Sequence, residues 1–133
     1  MGKRAIVRVL SEYNILSVDF QEYQTLQEFK DVVEYEFELI AQYKIKKAHI
    51  DIRRVKTYPE GVKDYIIKEW FPTVNKLGLE YIAFVQPYDI RGQVDMLAVH
   101  MEIYESSKME MYENIYMVHF SDPTSALNWL LGV

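Results

Sequence analysis

The sequence predicts an α/β fold, a single domain built on a mixed five-stranded sheet with four helices in the order ββαβαβαβα. Three observations carry this reading. The opening segment alternates apolar and polar residues with the period of strands, whereas from residue 25 onward apolar residues recur every three or four positions. The run Leu-Glu-Tyr-Ile-Ala-Phe-Val-Gln at 79–86 is apolar almost throughout, as a strand buried on both faces of a parallel sheet should be. Strand and helix patterns then alternate to the end of the chain, which calls for right-handed crossovers and parallel pairing after an opening hairpin.

Taken in order, Ile6, Val7 or Val9, and Leu10, then Ile15, Leu16, Val18 and Phe20, flank a Ser-Glu-Tyr-Asn turn and predict a hairpin with strands near 4–10 and 14–20. Leu26, Phe29, Val33, Phe37 and Ile40 line one face of a helix over 25–44, which Thr25 and Glu28 open with the spacing of a capping box. Residues 48–53 form a short strand. Pro59 then marks the first turn of a second helix, with Thr57 and Glu60 nearby and Val62, Tyr65, Ile66 and Trp70 inward. Pro72 should kink or interrupt that helix and Gly78 should end it. The 79–86 strand stops at Pro87. Ile90, Val94, Leu97, Met101 and Tyr104 give the third helix its apolar stripe, 114–120 is the fifth strand, and Asp122 with Pro123 caps a last helix packed through Ala126, Trp129 and Leu130.

Composition narrows the function. The chain has 133 residues, 50% of them hydrophobic, with no Pro-rich or Ser-rich linker, so one domain spanning 1–133 is expected. A net charge of -5 argues against nucleic acid as a partner, since such binding is driven by neutralising phosphates. The absence of Cys excludes disulfides, thiolate metal sites and Cys nucleophiles. The first ten residues are too short and too charged for a signal peptide core, Ile6 stands where a myristoylation signal wants Ser or Thr, and no apolar run reaches the roughly 18 residues of a membrane span. A cytoplasmic protein is expected. Charge is uneven: residues 41–80 hold nine basic and five acidic side chains, whereas acidic residues dominate on either side. Lys44, Lys46 and Lys47 suit a helix end, where the dipole favours cations.

The phrase Glu-Trp-Phe-Pro-Thr-Val-Asn-Lys-Leu-Gly-Leu-Glu-Tyr-Ile-Ala-Phe-Val-Gln-Pro at 69–87, the close Phe-Ser-Asp-Pro-Thr-Ser-Ala-Leu-Asn-Trp-Leu-Leu at 120–131 and the element order together resemble small bacterial STAS-like, SpoIIAA-like proteins. The resemblance covers most of the chain and rests on packing residues, so it speaks to fold more than function. It implies a regulatory domain that works by binding a protein. The better-known branch is switched by phosphorylation of a Ser after the third strand; the matching stretch here, Asp51 to Gly61, lacks the Asp-Ser-Ser-Gly signature and offers Thr57, a residue placed to cap a helix. The family's likeness to lipid-binding SEC14-type domains keeps an apolar ligand open.

No catalytic signature is present. His49, His100 and His119 have no second ligand at helical spacing, and no Ser lies in a Gly-x-Ser-x-Gly frame. No cofactor or metal is expected. Asp31, Glu34, Glu36 and Glu38 spread around the first helix as a solvated face would. One group stands out by topology. Ligands of open α/β sheets gather beyond the carboxyl ends of parallel strands, where Arg53, Arg54, Lys56 and Thr57 follow the third strand, Gln86, Tyr88 and Arg91 the fourth, and Ser121 the fifth. They form a candidate ligand or partner site for a small anion; the plainer account is loop residues whose Arg stems cover the sheet edge. Tyr13, Tyr23, Tyr112 and Tyr116 fall outside the core pattern, and with six Met they suit a homodimer patch or an apolar groove. A non-catalytic interaction domain that binds a protein partner or itself through the loops beyond the third and fourth strands is therefore expected, with a small-anion or lipid binding module as the alternative.

Overall fold

Strands β1 (Ala5–Leu10) and β2 (Ile15–Phe20) form the opening hairpin in the computed structural model, which describes residues 5–22, 25–105 and 114–133. Tyr13 N donates to Leu10 O at 3.0 Å across the turn, and Asn14 takes φ 55°, a left-handed conformation that Asn tolerates better than most residues. Pairing Ala5 with Phe20 and Val7 with Val18 turns the odd positions of β1 inward. Ile6 therefore faces away and is 47% exposed.

Helix α1 (Leu26–Tyr43) begins as its capping spacing predicts: Thr25 Oγ1 accepts from Glu28 N and donates to Glu28 Oε1, each at 3.1 Å. It ends with Lys44 in the left-handed region at φ 53°, where Ile45 N reaches back to Ile40 O. A side chain is disfavoured there, so Lys44→Gly is expected to raise stability by roughly 0.5–1 kcal/mol in urea unfolding. A loss of stability would contradict the strain argument.

Helix α2 comprises three consecutive segments, Val62–Tyr65, a wider π-helical turn Ile66–Trp70, and Phe71–Lys76. It starts three residues later than Pro59, because Gly61 at φ 88° is the residue before the helix and Val62 N closes a turn onto Pro59 O. Thr57 consequently does not cap it. Pro72 interrupts α-helical bonding as expected, and the form of the interruption is the wide turn, in which Phe71 N donates to Ile66 O five residues back. That widening makes room for a ring that an α-turn would drive into the preceding carbonyl row. The end follows the Schellman pattern, with Gly78 at φ 94° donating to Asn75 O and Leu79 N to Val74 O.

Strands β3 (Lys47–Asp51), β4 (Tyr81–Val85) and β5 (Tyr116–Phe120) extend the sheet in the order β1-β2-β3-β4-β5, parallel throughout after the antiparallel hairpin. Helix α3 (Ile90–Glu105) joins β4 to the chain before β5, and α4 (Pro123–Gly132) closes the described chain, capped by Asp122 Oδ1 accepting from Ser125 N at 2.8 Å. The result is the expected α/β class with a mixed five-stranded sheet and four helices among the described residues. Leu16, Val18, Ile50, Ile82 and Phe84 face α1, α2 and α3 in the main core, whereas Ile15, Ala83 and Val85 face only α4 through Ala126 and Leu130. Lys47 serves a helix end, but of a different helix from the one before it: its Nζ donates to Leu130 O and Val133 O at 2.7 and 2.6 Å, closing α4.

Candidate functional site

Register alone brings the predicted loops together. Asp51, Val85 and Phe120 lie side by side, and Ile52 N to Val85 O and Gln86 N to Phe120 O carry the pairing past the strand ends. At this edge Arg53 meets Tyr88, and Gln86 lies beside the end of β5, but the candidate arginines are already engaged. Arg53 grips the Asp51 carboxylate from Nε at 3.0 Å and Nη2 at 2.8 Å, and Nη1 reaches the Tyr88 hydroxyl at 3.3 Å. Asp51 raises the Arg53 pKa further still. Arg91 closes on Asp89 at 2.8 Å and holds that carboxyl down at about 2. Arg54 pairs with Asp19 at 3.5 Å without hydrogen-bond geometry, and the Asp19 pKa rises through its partial burial and the neighbouring Asp51 charge. Each arginine thus has its own aspartate. Lys56, Thr57 and Ser121 are exposed and Gln86 is half-buried. Tyr88 N also donates to Arg53 O at 3.0 Å, so the edge pins the β3 loop to the β4 loop.

A second group escaped the sequence reading. Glu36 is not on a solvated face; it is buried in the main core and accepts one long bond, 3.4 Å, from Trp70 Nε1. Burial pushes its carboxyl up to about 8, the Trp70 bond acting weakly the other way. Its position was readable, since Phe29, Val33, Glu36 and Ile40 continue one helical face. Beneath it lies a cavity of about 30 Å³, bordered also by Phe20, Tyr58, Phe84 and His100. That is room for one or two waters and far below the roughly 300–1,000 Å³ of ligand pockets. His100 on α3 and His119 on β5 meet at its margin, Nδ1 to Nε2 at 2.8 Å, their rings stacked 4.6 Å apart, with His119 also stacked on Phe84 and His100 tilted against it. Burial lowers both pKa values, that of His100 to about 3 with His119 adding repulsion. On the opposite face a shallow groove of about 250 Å³ runs between the hairpin and α4, where Arg8, Ser17 and His49 lie beside Thr124. His49 is buried there, Nε2 3.1 Å from Pro123 O.

The largest departure concerns α3. The stripe expected to pack inward, Ile90, Val94, Leu97, Met101 and Tyr104, faces solvent at 50–68% exposure, and the helix instead buries Gly92, Met96, Val99 and Ile103. Gly92 explains the choice. A Cβ there would lie 2.5 Å from Val55 O and 2.8 Å from Pro87 Cβ, so only a glycine admits this close approach of α3 to the sheet edge. Asp95, accepting from Tyr58 N at 3.0 Å and pairing with Lys63 at 3.0 Å, holds the same rotation. Tyr13 and Tyr116 are exposed as expected, while Tyr23 and Tyr112 lie outside the described residues. Among the described residues no helix is long and apolar enough to cross a membrane, and no cluster of His and carboxylates could hold a metal ion. Comparison with protein-family models, with curated proteins and with solved structures finds no match to this chain.

Proposed function

We propose that this chain is a non-catalytic, STAS-like interaction domain of the cytoplasm that works by binding protein through the outer face of α3. The carrying observation is the stripe from Ile90 to Tyr104. Single exposed apolar residues are ordinary, but five large ones on consecutive turns of one helix form a contiguous patch of the kind that marks interaction sites. The element order and the packing phrases around Trp70 and Trp129 support the STAS-like reading, and the missing Asp-Ser-Ser-Gly signature leaves it without the usual phosphoserine switch. A small-anion or lipid module has less support, because the edge arginines are paired and the core cavity holds only water-sized molecules.

The test is site-specific photocrosslinking in living cells. A photoreactive phenylalanine at position 97 should yield a protein adduct of one defined mass, and the same group at exposed Glu38 on α1 should yield none. No adduct at 97, or the same smear of products at both sites, would remove the reading.

A further inference from the structure

Resting on that reading, we propose that the partner on α3 is a second copy of this chain, with its α3 packed antiparallel about a twofold axis at Leu97. The spacing of the exposed stripe is the first argument. Ile90, Val94, Leu97, Met101 and Tyr104 are separated by four, three, four and three residues, the spacing of a seam that inserts knobs into a facing helix with the same repeat. Such a seam is complementary to itself, as a twofold interface requires. Leu97 is its midpoint, with Ile90 seven residues before it and Tyr104 seven after.

Charge decides the direction. On one flank of the seam stand exposed Arg91 near the start of α3 and exposed Glu102 and Glu105 at its end, with small Ala98 between them. In an antiparallel pair, each Arg91 meets the acidic end of the other copy, twice over by symmetry, and the two helix dipoles oppose. In a parallel pair the two copies of this flank lie on opposite sides of the seam, so Arg91 meets neither Glu102 nor Glu105 of the other copy. Arg91 uses Nε and Nη2 on its own Asp89, which leaves Nη1 for a carboxylate of the second copy. The stripe offers on the order of 500 Å² per copy, less than the roughly 800 Å² per partner of a standard interface, so the dimer is reversible and concentration-dependent.

Since the chain has no Cys, single cysteines report the geometry directly. Sedimentation of the wild-type chain should show a monomer–dimer equilibrium, with Leu97→Lys monomeric at every concentration and its melting curve unchanged within a few degrees. Under mild oxidation Leu97→Cys should crosslink to itself. Ile90→Cys and Tyr104→Cys should not do so alone, but should crosslink when mixed. Self-crosslinking of Ile90→Cys would overturn the antiparallel arrangement, and a wild-type chain monomeric at all concentrations, or a dimer untouched by Leu97→Lys, would overturn self-pairing. In the photocrosslinking experiment, an adduct heavier by anything but one chain mass likewise sinks self-pairing while the interaction reading stands; no adduct sinks both.

Discussion

Replacing Glu36 by Gln should stabilise the protein by about 3 kcal/mol at pH 7, a gain that vanishes below about pH 4.5. In the folded chain the buried carboxyl stays protonated up to about pH 8, whereas its unfolded value is 4.5. The unfolded chain therefore releases this proton first as pH rises. Stability is fully present below pH 4.5 and is lost progressively toward pH 8, the direction for any acid whose folded pKa is raised. Gln keeps an oxygen to accept from Trp70 Nε1 and has no proton to lose, so its curve should be flat where the wild type slopes. Urea unfolding of both proteins from pH 4 to pH 8 measures the difference. Parallel curves would show that water in the adjoining cavity already solvates an ionised Glu36.

The second large effect has the opposite slope. His100 is held neutral to about pH 3 by burial and by His119, whereas an unfolded His takes up its proton near 6.5. Its stability contribution is complete above pH 6.5 and is lost as pH falls toward 3; between pH 6.5 and 5 the loss should be about 1–2 kcal/mol. His100→Asn retains a polar atom near the Nδ1 that meets His119 and cannot be protonated, so its stability should fall less steeply over that interval. Equal slopes for variant and wild type would mean that the pair accepts a proton without cost. Taken together, Glu36 penalises alkaline conditions and the histidines penalise acid, which leaves the double variant Glu36→Gln, His100→Asn with the flattest pH profile.

Features that depend on neighbours within about four residues were legible in the chain itself. Thr25, Gly78 and Asp122 set helix ends through hydrogen bonds to backbone groups one turn away, and their roles follow from residue type and spacing. The period of the apolar residues identified every strand and helix and therefore the α/β class.

What stayed hidden depended on rotation and distant partners. Gly92, Met96, Val99 and Ile103 repeat with the same spacing as the stripe two residues away from them, so periodicity alone cannot say which side of α3 meets the sheet. Steric contact of residue 92 with Val55 and Pro87 settles it, and neither neighbour is adjacent in sequence. His100 and His119 meet across 19 residues, and Arg54 pairs with Asp19 from the other end of the opening hairpin and helix α1. Apolar patterning reports that a surface will be buried, because removal from water has no direction; which surface, and against what, is set by close packing and by charge pairing, both of which act only at contact.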